Sequence, residues 1–443
     1  MPTLEFPADF VWGTATAAYQ IEGSPLADGA GASIWHTFSH EPGRIENADT
    51  GDVACDHYNR WGEDIELMSR LGIGAYRFSI SWPRILPGGR GDVNPAGLDF
   101  YDRLVDGLLD AGIRPFVTLY HWDLPQAVED AGGWPNRECA AWYADYADIV
   151  FERLGDRVED WITFNEPWVF CYLGYGIGFH APGTASEADA FAAAHTMLLG
   201  HGMAVERLRA RRPRARVGIT LSVSPHVGDD DAAGADAAVR NGEAFHHGWF
   251  MDPLTGKDYP PALRECFGAS VPPIAAADSK VISAPIDFVG LNYYTRSLVA
   301  ADPSGHLGGR AVHPPGHYTA MGFEIYPAGL YRVLKDFHDS YQLPLYVTEN
   351  GAGLENEAIG PDGTVADTTR LRYLQSHMEM AQRAICEGVD LRGYFVWSFM
   401  DNFEWTFGYA KRFGIVHCDF ETGLRTPKLS ARWFSRVIAE NGI

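Results

Sequence analysis

Eight short apolar runs constrain this sequence more than any other feature: FVWGTATAAY, AYRFSI, RPFVTLY, DWITFN, RVGITLS, IDFVGLNYY, LPLYVTE and GYFVWSF. Each is apolar at successive positions instead of alternating. That is how a strand covered on both faces reads, and it points to parallel strands beneath helices. Helical segments fit between the runs. Asn94-Pro95 offers a cap and a first-turn proline, and Leu98, Tyr101, Leu104, Val105 and Leu108 follow at helical spacing before Gly112. A second helix is expected from near Asp367 to Gly388, with Leu371, Leu374, Met378, Ala381 and Ile385 as its apolar stripe. The repeating order strand, helix, strand predicts an α/β fold: a single (β/α)8 TIM barrel domain over residues 1–443, with long βα loops forming a pocket at the C-terminal face. A doubly wound open sheet is the competing architecture.

With 46% hydrophobic residues the chain can bury a large core, and its composition is even from end to end. A formal charge of -23, from 35 basic and 58 acidic residues, argues against nucleic acid and anionic membrane surfaces as partners. The arginine-rich RLRARRPRARV (207–217) reads as a solvated helix end. No basic start precedes an apolar stretch and no apolar run is long enough to span a bilayer, so a cytoplasmic location is expected. The six cysteines show no Cys-x-x-Cys pair and read as packing thiols. His121 with Asp123 or His417 lacks tight ligand spacing, so neither a metal nor another cofactor is expected. Polar stretches starting at Ser224, Gly268 and Asp302 are expected to be loops at the rim.

Two of the runs end in carboxylates. DWITFNEP closes on Glu166 and PLYVTENG on Glu349, which the barrel makes neighbours at the ends of its fourth and seventh strands. Two carboxylates facing across a cleft are what glycoside hydrolysis requires: one protonates the departing oxygen while the other attacks or activates water. Asn165 is placed to reach a sugar 2-hydroxyl. Arg77 and Tyr294, at two further strand ends, are placed to hydrogen-bond an ionised Glu349 and hold its pKa down.

Ordered blocks along nearly the whole chain then carry a resemblance. TFNEP (163–167) and YVTENG (346–351) resemble the acid/base and nucleophile motifs of glycoside hydrolase family 1, the β-glucosidase family. FVWGTATAAYQIEG (10–23), AYRFSISWPRI (75–85), LYHWDLPQ (119–126), GLNYYT (290–295), WSFMDNFEW (397–405) and GYAKRFGIVH (408–417) accompany them. The resemblance implies a retaining, exo-acting β-glycosidase with Glu349 as nucleophile and Glu166 as acid, then base, their carboxyls roughly 5–5.5 Å apart. It also implies a sugar cradle of Gln20, His121, Trp122, Asn165, Asn292, Tyr294, Glu404, Trp405 and Phe413, with Trp397 as stacking floor. Gln20 and Glu404 both suit the 4-hydroxyl, so β-glucosyl, β-galactosyl and β-fucosyl groups are all expected to be accepted. Glu404 is expected to repel 6-phosphorylated sugars. Trp168 and Phe323 are assigned to the leaving-group side, where Phe323 departs from the tryptophan usual in the family. The expected partner is a small carbohydrate. A homo-oligomer is compatible with the sequence. An endo-acting glycanase of a related barrel family and a catalytically silent sugar-binding barrel are the rival readings.

Overall fold

The computed structural model describes residues 4–229, 234–355, 357–361 and 363–443. All eight runs are strands: Val11–Ala15 (β1), Ala75–Ser79 (β2), Arg114–Tyr120 (β3), Asp160–Asn165 (β4), Arg216–Val223 (β5), Phe288–Tyr293 (β6), Leu345–Asn350 (β7) and Leu391–Trp397 (β8). They close into a barrel in the order β1-β8-β7-β6-β5-β4-β3-β2. Every neighbouring pair is parallel, which excludes the open sheet.

Helices cover the outside as their periodicity predicts, with local differences. The helix Pro95–Asp110 begins where expected, but Asn94 does not cap it with its side chain. Its Nδ2 instead donates to the carbonyls of Asp28 and Arg84, tying the helix start to the rim. In the helix Thr368–Cys386 the buried stripe includes Arg370, Tyr373, Leu374, His377, Met378, Ala381 and Ala384, while Leu371 and Ile385 are only half-buried. The stripe rotates because Arg370 turns inward to Glu357 at 2.8 Å and Asp367 at 2.6 Å, and such an ion pair overrides apolar spacing. The arginine cluster ends the helix Glu187–Arg211, as predicted, and Arg207, Arg209 and Arg211 pair with Asp145, Asp287 and Asp148.

The stretches read as loops carry structure of their own. His226–Gly228 and Gly309–Ala311 flank Ser297–Ala301, which precedes the third stretch, in a small three-stranded sheet at the rim, and Ala276–Ile282 is a helix. Residues 230–233 of the first stretch lie outside the described residues. The six cysteines are unpaired; Cys55, Cys139, Cys171 and Cys418 are buried, Cys266 is half-buried and Cys386 is exposed. Among the described residues no helix is long and apolar enough to cross a membrane.

The barrel lumen is a packed layer of Ala75, Phe116, Ile162, Phe288, Tyr346 and Phe395. Above it, polar side chains replace the apolar ones at the C-terminal ends of the strands. Strict alternation would turn Asn165 and Glu349 away from the axis, because each lies three residues beyond a lumen residue, Ile162 and Tyr346 respectively. Register irregularities between Ile162 and Asn165, and between Val347 and Glu349, change the parity. The two bulges therefore aim both side chains back over the lumen.

Just past β7, Gly351 lies against β8 so closely that a β-carbon would stand 1.8 Å from the carbonyl oxygen of Trp397. Backbone cannot yield there as a side chain would. Gly351→Ala is expected to lower unfolding free energy by about 1–3 kcal/mol, the usual cost of overpacking, in equilibrium denaturant titration. An unchanged midpoint would contradict this account of the strand pair.

Candidate active site

Arg77 projects from β2 into the centre of the C-terminal face and is fully buried. Its Nη1 donates to Glu349 Oε1 at 2.6 Å and to the Thr348 carbonyl at 3.1 Å. Its Nη2 donates to Asn165 Oδ1 at 2.6 Å, and its Nε to Thr118 Oγ1 at 3.3 Å. One guanidinium thus joins the ends of β2, β3, β4 and β7. Tyr294, just beyond β6, donates its hydroxyl to the other Glu349 oxygen at 2.7 Å. The structure brings Arg77 and Tyr294 onto Glu349 as the sequence predicts.

Glu166 sits in a different setting. Among the described residues its one side-chain hydrogen-bond donor is Asn292 Nδ2, at 2.9 Å. The same nitrogen donates to Asn165 Oδ1 at 3.0 Å, and Asn292 Oδ1 accepts from Thr348 Oγ1 at 2.7 Å. Burial, then the charge of Glu349, push the Glu166 carboxyl up to about 8, against the opposing pull of Asn292 and Arg77. The expectation that Glu349 is held low needs correction. Arg77 and Tyr294 do pull its pKa down, but burial pushes harder and leaves the carboxyl raised. Arg77 and Tyr294 hydrogen-bond Glu349 directly, whereas Arg77 acts on Glu166 only through its charge.

Above the pair lies a cavity of ≈ 370 Å³, lined in part by His121, Trp122, Glu166, Trp168, Tyr294, Phe323, Glu349, Trp397, Glu404, Trp405 and Phe413. Gln20, Arg77, Asn165 and Asn292 lie behind this lining and are fully buried. Gln20 Nε2 donates to Glu404 Oε2 at 3.3 Å and to the Phe403 carbonyl at 2.8 Å, while its Oε1 is buried without a partner. That oxygen and the Glu404 carboxyl form an acceptor pair suited to adjacent hydroxyls. Burial and the Glu349 charge push Glu404 up to about 8 as well, with Gln20 opposing. Asn165 Nδ2 lies 2.9 Å from His121 Nε2, leaving one amide hydrogen for a ligand. Burial and Arg77 push the His121 imidazole well down, so it is neutral with its proton on the unpartnered Nδ1.

Trp122, like Tyr294, is a sugar-binding candidate whose polar group is already engaged. Its Nε1 donates to the Asn165 carbonyl at 2.9 Å, and its ring packs on Trp405 at 4.4 Å. It offers the cavity an aromatic face. Glu166, Trp122 and Trp405 have φ of 47°, 81° and 50°, the left-handed region that costs a non-glycine residue about 1–3 kcal/mol and recurs at functional sites. Sequence reasoning missed His180, His246, Phe179, Met321 and Phe407, which also line the cavity. Thr295 and Ser222–Ser224 were findable, since they stand at or just beyond strand ends. His180 and Met321 belong to loops whose path no periodicity reports.

Trp168 and Phe323 stand where the cavity meets a second one of ≈ 560 Å³, which also reaches Tyr172, Phe245, Leu298 and Tyr318. Both residues line both cavities.

Comparison with known proteins gives a consistent result. The family model for glycosyl hydrolase family 1 matches residues 3–443. Beta-glucosidase A of Thermotoga maritima is 50% identical over 445 residues, covering 100% of both chains. Beta-glucosidase A of Acetivibrio thermocellus is 44% identical over 448 residues, again covering 100% of each. The solved structure of the Thermotoga maritima beta-glucosidase in complex with deoxynojirimycin superimposes with a TM-score of 0.96, covering 99% of each chain.

Because the Asn292 hydrogen bond holds the Glu166 carboxyl down, Asn292→Ala is expected to raise its titration above the value of about 8 in the intact site. Carboxyl-labelled NMR titration measures this directly, and a midpoint that falls would show that Asn292 does not stabilise the ionised form.

Proposed function

The chain belongs to glycosyl hydrolase family 1, and from that membership we propose that Glu349 is the nucleophile and Glu166 the acid, then base, of this retaining exo-β-glycosidase. The observation that carries the assignment is the unequal setting of the two buried carboxyls. Glu349 has a guanidinium and a phenol on it, whereas Glu166 has one amide. Two titratable groups pushed apart in this way divide the roles between them.

In the first step an ionised Glu349 oxygen bonds to the anomeric carbon as the glycosidic C–O bond breaks, and Glu166 gives its proton to the departing oxygen. In the second, Glu166 takes a proton from water as that water attacks the anomeric carbon and the ester bond to Glu349 breaks. Forming the ester removes the Glu349 charge, the second largest cause of the raised Glu166 pKa. The acid of the first step is thereby converted to the base of the second.

The substrate is a small β-glycoside whose terminal non-reducing glucosyl group enters the cavity over Trp397. Gln20 and Glu404 side by side support acceptance of galactosyl and fucosyl groups as well, and Trp168 and Phe323 support a leaving-group site. The bar to 6-phosphorylated sugars has a different basis from the one expected. With Glu404 pushed up to about 8 it is largely protonated near neutrality, so repulsion contributes little. No lysine or arginine is among the residues lining the cavity, and a buried phosphate would lack a countercharge. One catalytic domain spanning residues 1–443 and a cytoplasmic location complete the reading, supported by the extent of the family match and by six unpaired cysteines.

Initial rates on p-nitrophenyl β-glucoside test the roles. Glu349→Gln is expected to abolish turnover, and Glu166→Ala to lower it by about 10²–10⁴-fold, with azide partly restoring the rate as the β-glucosyl azide forms. Azide rescue giving the α-azide instead would exchange the two roles. The pH profile of kcat/KM is expected to fall on the basic side through about 8, where Glu166 loses its proton, and on the acidic side where Glu349 gains one. A profile with a single limb would contradict the pairing.

A further inference from the structure

His36 and His40 stand one turn apart at the end of the short helix Ile34–Ser39, with ring centroids 4.4 Å apart. Asp52 reaches them from the segment that follows. His36 Nδ1 lies 3.4 Å from Asp52 Oδ1, and His40 Nε2 lies 3.1 Å from Asp52 Oδ2. One ligand atom from each residue falls within 4.8 Å of the other two. We propose that His36, His40 and Asp52 form a binding site for a divalent first-row transition ion such as Zn²⁺, separate from the sugar cavity.

Two further observations support a ligand set over a plain ion-pair cluster. His36 Nδ1 and Asp52 Oδ1 are buried from water and converge to 3.4 Å, each without another hydrogen-bond partner. His40 is held at both ring nitrogens, Nδ1 lying 2.7 Å from the His36 carbonyl and Nε2 in a 3.1 Å hydrogen bond to Asp52 Oδ2 that an ion would replace. A backbone carbonyl holding the far ring nitrogen is the usual way a metal-binding histidine is oriented. Two imidazoles and one carboxylate suit Zn²⁺, Ni²⁺ or Co²⁺ better than Ca²⁺ or Mg²⁺, which prefer all-oxygen shells. The side chains of Asp52 and His40 are 43% and 44% exposed, which leaves room for water in the remaining positions.

The position gives such an ion a consequence. Trp35, next to His36, packs on Trp405 at 4.5 Å. On the other arm, Asp49 and Thr50 accept hydrogen bonds from Tyr409, at 3.0 Å from its amide and 2.7 Å from its hydroxyl. An ion held by His36, His40 and Asp52 therefore ties together the two segments that brace the Glu404–Trp405 wall of the cavity from outside. The His-x-x-x-His spacing is visible in the sequence, but the third ligand is supplied only by the fold.

Titration calorimetry of the full-length, chelator-treated protein with ZnCl₂ tests the site. Wild type is expected to bind one equivalent and to melt at a higher temperature with Zn²⁺ present, since an ion that binds only the folded state stabilises it. His40→Ala and Asp52→Asn are expected to bind at least roughly tenfold more weakly and to lose the thermal shift. Neither residue lines the cavity, so both variants should turn over p-nitrophenyl β-glucoside without metal at the wild-type rate, which shows that they are folded. Isotherms that coincide for the three proteins, or no heat and no thermal shift in wild type, would overturn the proposal.

Discussion

Everything at the C-terminal face depends on one buried cation. Arg77 bonds to groups on four strands, and without it Glu349, Asn165 and the Thr348 carbonyl would all be left short of a donor in a dry environment. Removing one member of a buried pair of this kind costs about 3–5 kcal/mol, mainly through the uncompensated charge that remains. The same guanidinium limits how many negative charges the site can hold. Glu166, Glu349 and Glu404 are all buried near it, and a single countercharge supports one ionised carboxylate comfortably. Burial is the first cause of the raised pKa of all three, and the Glu349 charge adds to it at Glu166 and Glu404.

How the site comes to have this shape is a matter of strand parity. The lumen residues Ile162 and Tyr346 and the functional residues Asn165 and Glu349 all face the axis, although alternation alone would separate them. The two register irregularities reconcile a packed lower layer with a polar upper one. Left-handed backbone at Glu166, Trp122 and Trp405 carries the aiming one residue further, into the loops.

Much of this was legible in the sequence. Continuous apolar runs are a direct consequence of burial on both faces, so the eight strands could be read from them, and strand ends then pointed to Glu166, Glu349, Arg77 and Tyr294. The remainder depended on terms that no local pattern encodes. The net pKa of Glu349 is a balance between burial and two partners, and only the depth of the site decides it. The Trp122 indole is spent on the Asn165 carbonyl because the chain turns at Trp122, which a motif cannot report. Arg370 displaced an apolar stripe by facing Glu357 and Asp367. The rim strand Gly309–Ala311 was hidden because a three-residue edge strand in polar, glycine-rich sequence looks like loop.

The single guanidinium also has a bearing on how charge moves during turnover. On the roles proposed for the two carboxyls, one negative charge rests on Glu349 before reaction, and after the glycosyl group has transferred it rests on Glu166, which has given up its proton. The charge has changed address across the anomeric carbon while the buried region keeps the same total. Neither half of the cycle requires an ion to enter or leave a sealed, low-dielectric space. Arg77 touches Glu349 directly and also lowers the pKa of Glu166, so it remains within electrostatic reach of the charge at both addresses.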